Sequence, residues 1–295
     1  MMMNFRTLRM FVEVVRQGGF TRAAEAVFAT QSTVSKAVRQ LEDEVGVPLI
    51  DRAGQRVGLT AAGEVVHRRA LRILAEQADL MREIDEIRGL QRGTLRLGLP
   101  PIGSSVLFAP VLASYRARYP GVDIHLVEHG SSRLEEVVRA GELDLAGSLL
   151  PVSEEFAWQD VRREPLMALL SRDHPLAKAG AIGIDALRDI PFILFESGFA
   201  LNRIIVEACR RRGFTPQVAV RSSQVDFIVE LAASGLGVAF LPRLMTREQH
   251  RHLVAQVLLD HADTDWHMAM VWRRDAYLSH AARAWLACLR EGGRP

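Results

Sequence analysis

Gln31, Ser32, Thr33, Ser35 and Lys36 put five polar side chains into six consecutive positions directly behind Thr30. Amide and hydroxyl groups both donate and accept, which suits base edges and phosphate oxygens, and the lysine adds a cation. If a helix starts at Thr30, its first backbone N–H groups face an anion from the same end. A second set of polar residues is spread through the later chain: Ser104 and Ser105 after Pro100 and Pro101, His129 and Ser131, Phe199 and Asn202, Ser223 and Gln224. Each pair follows an apolar, strand-like run, where hydroxyls and helix starts can hold a small anion. Helix capping, a satisfied histidine and ordinary packing between lobes are the structural alternatives for the same residues.

Several elements must position these groups. Leu8, Phe11, Val12 and Val15 form one helical stripe. Thr21 is placed to cap a second helix, TRAAEAVF, and Thr30 a third, QSTVSKAVRQLEDEVG, in which Val34, Val38, Leu41 and Val45 recur at helical spacing. The core takes those apolar positions and leaves the polar set facing outwards. Helix, tight connection and polar-headed helix are the physical content of a helix-turn-helix. From Thr60 the chain runs without proline to Gly89; Val66, Ala70, Ile73, Met81, Ile84 and Ile87, with Gln77 completing the stripe, predict a long helix with one apolar seam. Such a seam pairs with a second copy or packs against its own chain. Beyond Gly89, strand-like runs (TLRLGLP, VDIHLVEHG, LDLAGSLL, PLMALLS, PFILF, PQVAVRSS) alternate with helical ones, ending in WHMAMVWRR and HAARAWLACLR. That alternation predicts α/β lobes.

The segment TRAAEAVFATQSTVSKAVRQLEDEVGVPLIDRAGQRVGLTAAGE resembles the winged helix-turn-helix of LysR-type transcriptional regulators, through its RAAE entry, QSxVSxxVxxLE helix, GVPL turn and LTxAGE start of the linker helix. It departs from the family pattern at Thr33, where a proline often follows the Gln-Ser pair, and at Ile50-Asp51, which replace a usual Phe-Glu before Arg52. GLPPIGSSVLFAPVLASYRARYPGV, GELDLAG and AASGLGVAFLP resemble the two-lobed, periplasmic-binding-protein-like effector domain of the same family. The resemblance implies an α/β chain with a winged helix-turn-helix at 1–60, a linker and dimerisation helix at 61–89 and an effector-binding domain at 90–295. Within that domain it implies lobe I at 90–161 plus 267–295, and lobe II at 162–266. It makes Gln31, Ser32, Thr33, Ser35 and Lys36 the DNA-reading set, with Arg52 and Arg56 on the wing near phosphates or the minor groove. The implied partners are double-stranded operator DNA with an interrupted palindrome, a small-molecule effector, further copies of the chain in a dimer and a tetramer, and RNA polymerase at the promoter. FILFESGFALNRIIVEACRRRGFTP and RSSQVDFIVELAASGLGVAFLP are similar, more narrowly, to the branch of regulators of holin-like exporters and organic-acid overflow metabolism, which implies a carboxylate or related anion as effector.

Composition narrows the classes further. At 295 residues, 48% apolar and 24% charged, the chain is long enough for two or three domains and is not a disordered one. Its net charge is +2, and the only lysines are Lys36 and Lys178, so arginine carries the positive side and bulk charge decides nothing about nucleic acid. Gly235 and Gly237 lack the third glycine of a dinucleotide fingerprint, and no phosphate loop, zinc helix or nucleophile elbow appears, so neither turnover nor a cofactor is expected. His250, His252, His261 and His267 complete no helical ligand pair, and no metal is expected. Cys209 and Cys288 are too few for a disulfide framework and read as packing residues. No apolar run reaches the roughly eighteen residues of a spanning helix, and MMMNFRTLRMF lacks the form of a signal peptide, so a cytoplasmic protein without a membrane partner is expected. A DNA-binding scaffold without an effector is the alternative function.

Overall fold

The structure is a computed structural model that describes residues 4–51, 57–87, 93–246, 252–260 and 264–292. In the N-terminal unit, α1 (Phe5–Gln17) is capped by Asn4, whose Oδ1 accepts the Thr7 N–H at 2.9 Å. α2 (Phe20–Ala26) follows, with Gly19 rather than the expected Thr21 at its N-cap, because the helix begins one residue before that threonine. α3 (Gln31–Val45) does start behind Thr30. Two-residue strands β1 (Ile50–Asp51) and β2 (Gly58–Leu59) pair antiparallel, and α4 (Ala61–Ile87) leaves the unit.

Leu8, Phe11, Val12, Val34, Val38 and Leu41 are buried together with Ala23 and Ala24 from α2. Full burial of each larger side chain contributes about 1.5–3 kcal/mol, which makes this three-helix packing the source of the unit's stability. The Glu42 carboxylate on α3 accepts the N–H groups of Leu49 (2.9 Å) and Ile50 (3.2 Å), fixing the GVPL turn at the entry to β1. Thr60 holds the start of α4: its hydroxyl donates to the Pro48 carbonyl at 2.8 Å and accepts the Gly63 N–H at 2.9 Å. The apolar seam expected along α4 is divided. Ala70 is buried in the helical core, Val66 packs against it and the His67 ring meets Phe11 edge-on at 6.2 Å, whereas Val65, Ile73, Leu80 and Met81 are exposed. The side chain of Ile87 lies outside the described residues.

The C-terminal unit begins with β3 (Thr94–Leu99), α5 (Pro101–Leu107), α6 (Ala109–Arg118), β4 (Asp123–Glu128), α7 (Ser131–Arg139), β5 (Leu145–Leu149) and β6 (Phe156–Glu164). The second lobe follows: β7 (Leu166–Ser171), β8 (Ala181–Ile182), β9 (Phe192–Phe195), α8 (Ala200–Arg211), β10 (Val218–Ser222), α9 (Val225–Ala233), β11 (Ala239–Pro242) and β12 (Val254–Leu259). β13 (Trp266–Arg273) and α10 (His280–Gly292) then return to the first lobe. The first sheet has the order β4-β3-β5-β13-β6, with β3 parallel to β4 and β5 and β13 antiparallel to its neighbours. The second has β11-β7-β12-β8, and the parallel pair β10-β9 meets it through a bridge from Phe192 to Val238. β6 carries the first sheet to Glu164, so the passage between lobes is Pro165, three residues later than a division after 161. Asp144 of the GELDLAG run ties β5 to β3: its carboxylate accepts the Arg96 backbone N–H at 2.8 Å and pairs with the Arg96 guanidinium at 2.6 Å.

Candidate nucleic-acid interface and effector cleft

The start of α3 is built by Thr30. Its Oγ1 accepts the Thr33 N–H at 3.2 Å and lies 3.0 Å from the Ser32 hydroxyl and 2.8 Å from that of Thr33. An N-cap of this kind contributes on the order of 1 kcal/mol. Gln31, Ser32 and Lys36 are exposed, and Thr33 and Ser35 half-buried, while Val34 and Val38 between them face the core. Arg39, three positions beyond Lys36, continues the same exposed side; helical spacing from Lys36 was the signal that could have found it. Glu42 is committed to the backbone of the next turn, and Lys36 faces solvent. The connection between α2 and α3 carries a further feature that no sequence pattern signals: Phe28 is 98% exposed and has a left-handed φ of 51°. Arg52 and Arg56 lie outside the described residues.

In the C-terminal unit the lobes approach across a narrow cleft. Ile102 and Gly103 leave helical geometry inside α5, so regular helix resumes at Ser104. Gly103 has φ 93°, and a Cβ there would stand 2.7 Å from Cη2 of Trp266, so both backbone and space demand glycine. The Ser104 hydroxyl donates back to the Pro100 carbonyl, and Ser105 is exposed. Across the cleft the Ser132 N–H donates to the Gly198 carbonyl at 3.2 Å. Arg203 of α8 reaches the carbonyls of Leu149 (3.3 Å) and Pro151 (3.0 Å).

Between these contacts lies a cavity of about 10 Å³, lined by Ile102, Ser131, Phe199, Leu201, Trp266 and Met268 among others. That is room for about one water. Of the eight residues expected to hold an effector, Ser131 and Phe199 are the two on this lining, Phe199 stacked on Phe195 at 5.0 Å. Asn202 is buried but committed: its Oδ1 accepts the Phe195 N–H at 3.1 Å, and its Nδ2 donates to the carbonyls of Phe195 (2.7 Å) and Glu196 (2.9 Å). It pins the turn between β9 and α8 and is not on this lining. His129, Ser223 and Gln224 are exposed and off this lining. Trp266 was not expected on the lining; its Nε1 is buried with no partner among the described residues. Two cavities of about 490 Å³ each lie elsewhere, one beside α5, α6, β6 and α10, the other beside β7 and β12.

Both cysteines are buried; burial pushes the Cys209 thiol up to about 11 and raises that of Cys288 as well. Neither carries much of the thiolate that redox chemistry needs. His267 contacts Asp160, and among the described residues no group of three or more His, Cys, Asp or Glu side chains is placed to hold a metal ion. Among the described residues no helix is long and apolar enough to cross a membrane.

A capped, polar-headed helix in a helix-turn-helix, a linker helix and a two-lobed α/β domain define a DNA-binding regulator rather than an enzyme. Residues 5–64 match the family described as bacterial regulatory helix-turn-helix protein, lysR family, and residues 88–294 match the LysR substrate binding domain. The chain belongs to the LysR family of transcriptional regulators. It is 37% identical over 285 residues to the uncharacterized HTH-type transcriptional regulator YwbI of Bacillus subtilis (strain 168), covering 96% of this chain and 95% of that one. A full-length cysteine-to-aspartate variant of OxyR from Pseudomonas aeruginosa superimposes with a TM-score of 0.73 at 25% identity, covering 100% of this chain and 98% of that one. Full-length CbnR complexed with its target DNA shares the fold at a TM-score of 0.61 and 20% identity, covering 98% and 100%.

Proposed function

We propose that the chain binds operator DNA through the N-terminal face of α3 and couples that binding to a small effector held between the two lobes. The observation that carries this reading is the exposed set of Gln31, Ser32 and Lys36 at the capped start of α3, backed by core residues that hold the helix in place. Gln31, Ser32, Thr33 and Ser35 are the base-reading candidates; Lys36, and Arg39 beyond it, supply phosphate contacts. Arg52 and Arg56 are assigned to the wing on the family resemblance alone. The exposed residues Val65, Ile73 and Leu80, repeating after eight and seven positions, form the pairing face of α4, with Met81 beside them. This supports a dimer, and the family resemblance extends it to a tetramer that meets RNA polymerase at the promoter.

The effector is a small organic anion in this reading. The cleft cavity, with room for about one water, is too small for such a ligand in the form described, so binding requires the lobes to part and re-form contacts at Ser132 and Arg203. A ligand changes lobe geometry only through its different affinity for the two forms. The narrower kinship with regulators of holin-like exporters and overflow metabolism rests on the FILFESG and RSSQVDF runs and belongs to the proposal, as do the limits 1–60, 61–89 and 90–295.

Genomic fragments selected on the full-length protein at controlled salt, then footprinted with and without small carboxylates, test the proposal. Enrichment of a specific site with a ligand-dependent footprint is expected. No enrichment by folded protein contradicts the DNA reading, and a ligand-insensitive footprint favours a scaffold without an effector.

A further inference from the structure

We propose that the second lobe carries an anion-binding site of its own, separate from the cleft and suited to a small organic dianion, either a phosphate ester or a dicarboxylate. The site is the cavity of about 490 Å³ beside β7 and β12. Its volume falls in the range of about 300–1,000 Å³ usual for small-ligand sites. Three chain segments each bring a cation to it: Arg172 just beyond β7, Lys178 at the end of the short turn Pro175–Lys178, and Arg243 at the start of the turn Arg243–Met245. No described lining residue is acidic. Lys178 is one of only two lysines in the chain, so this cluster is not drawn from a lysine-rich surface.

Existing ion pairs account for little of that charge. Arg243 Nε stands 3.6 Å from Glu164, but the same carboxylate is already held by Arg162 at 2.8 Å. Arg172 donates to a neutral acceptor, the His252 carbonyl, at 3.3 Å. Grouped like charges repel unless a counter-ion joins them, and a dianion matches the excess. A second, independent feature points the same way. Gln256 of β12 lines the cavity, and its Nε2 is buried with no hydrogen-bond partner among the described residues. Buried donors are normally satisfied, and an acceptor oxygen of a bound anion would satisfy this one. Thr246 adds a hydroxyl at the rim, which donates to the Arg243 carbonyl at 2.6 Å and retains acceptor capacity. This lining shares no residue with the cleft cavity.

Calorimetric titration of the full-length protein with inorganic phosphate and with succinate at low ionic strength tests the site. Saturable binding of at least one probe is expected, and which one binds separates a phosphate from a carboxylate ligand. Arg172→Ala and Lys178→Ala, both at exposed positions, are expected to weaken it at least tenfold. Gln256→Met is expected to weaken it as well without lowering the Tm of the unliganded protein, since it removes an unpartnered amide; a merely structural glutamine would lower the Tm and leave affinity alone. Ser131→Ala, in the cleft, is expected to leave affinity unchanged, so failure here is distinguishable from failure of the cleft reading. The proposal is overturned if neither probe binds, if binding survives both cation variants, if it is lost in Ser131→Ala, or if the cation variants weaken duplex DNA binding alone.

Discussion

Gly130→Ala should force the two lobes apart, and the size of the effect follows from the contact. A Cβ on Gly130 would collide with the Gly198 carbonyl oxygen and lie 2.5 Å from its carbon, with backbone on both sides and no flexible side chain to yield. Relief requires a shift on the order of 1 Å between the turn that precedes α7 and the one that precedes α8. Overpacking of this kind costs about 1–3 kcal/mol, and the 3.2 Å bond from Ser132 N–H to Gly198 is worth about 0.5–1.5 kcal/mol. One displacement relieves the first and breaks the second, so the terms do not add in full, and about 2–3 kcal/mol is expected. For a domain of this size that lowers Tm by on the order of 4–12 °C. Opening also uncovers Trp266, which is fully buried against the cleft, so acrylamide quenching of tryptophan fluorescence should rise. Gly180→Ala is the control: nothing lies within 4 Å of its added Cβ, and its Tm should be unchanged or higher. A Gly130→Ala protein with the parent Tm and unchanged quenching would refute the reasoning.

Three further predictions concern the N-terminal unit. Phe28 spends its left-handed φ on a side chain that packs against almost nothing, so Phe28→Asn should raise stability by about 1 kcal/mol in urea unfolding; a loss would show that the ring is held by contacts not seen in the unit. Burial lowers the His67 pKa below 6.5, so the unfolded chain takes up its proton first, and the stability this provides above pH 6.5 is lost as pH falls through 6.5 towards the folded value. The drop in Tm between about pH 7.5 and about pH 5.5 should therefore shrink in His67→Gln, and an unchanged drop contradicts the assignment. Leu80→Glu places a charge on the exposed side of α4 and should shift sedimentation from dimer to monomer without unfolding the helix-turn-helix; an intact dimer would remove that face from the pairing surface.

Local chemistry made part of this structure legible. Thr30 caps α3 because a threonine before a run with apolar residues at three- and four-residue steps has few other roles, and Val34, Val38 and Leu41 are buried as their spacing requires. The length of α4 was equally readable, but not the division of its faces, since Ala70 is buried by α1, an element far away in the chain. Among the strands that escaped notice, β6 and β12 did so for different reasons. β6 reads FAWQDVRRE, an edge strand whose outward positions carry charges that blur the alternation, and β12 is a short run behind the charged TREQHRHL segment. The cleft was the least legible part. Asn202 hydrogen-bonds the backbone of its own turn, while Trp266 reaches the cavity only through the return of the chain between lobes and Leu201 sits on the α8 turn just behind Phe199.

Binding of Gln31→Ala and Lys36→Ala to the selected operator and to a half-site mutant, over a salt series, tests the central claim most directly. Gln31→Ala should lose about 1–3 kcal/mol of discrimination while nonspecific binding persists, and Lys36→Ala should weaken both DNAs in parallel and reduce the salt slope by about one. An unchanged specificity ratio and salt slope in both variants would contradict the account, because the start of α3 would then not be the surface that reads DNA.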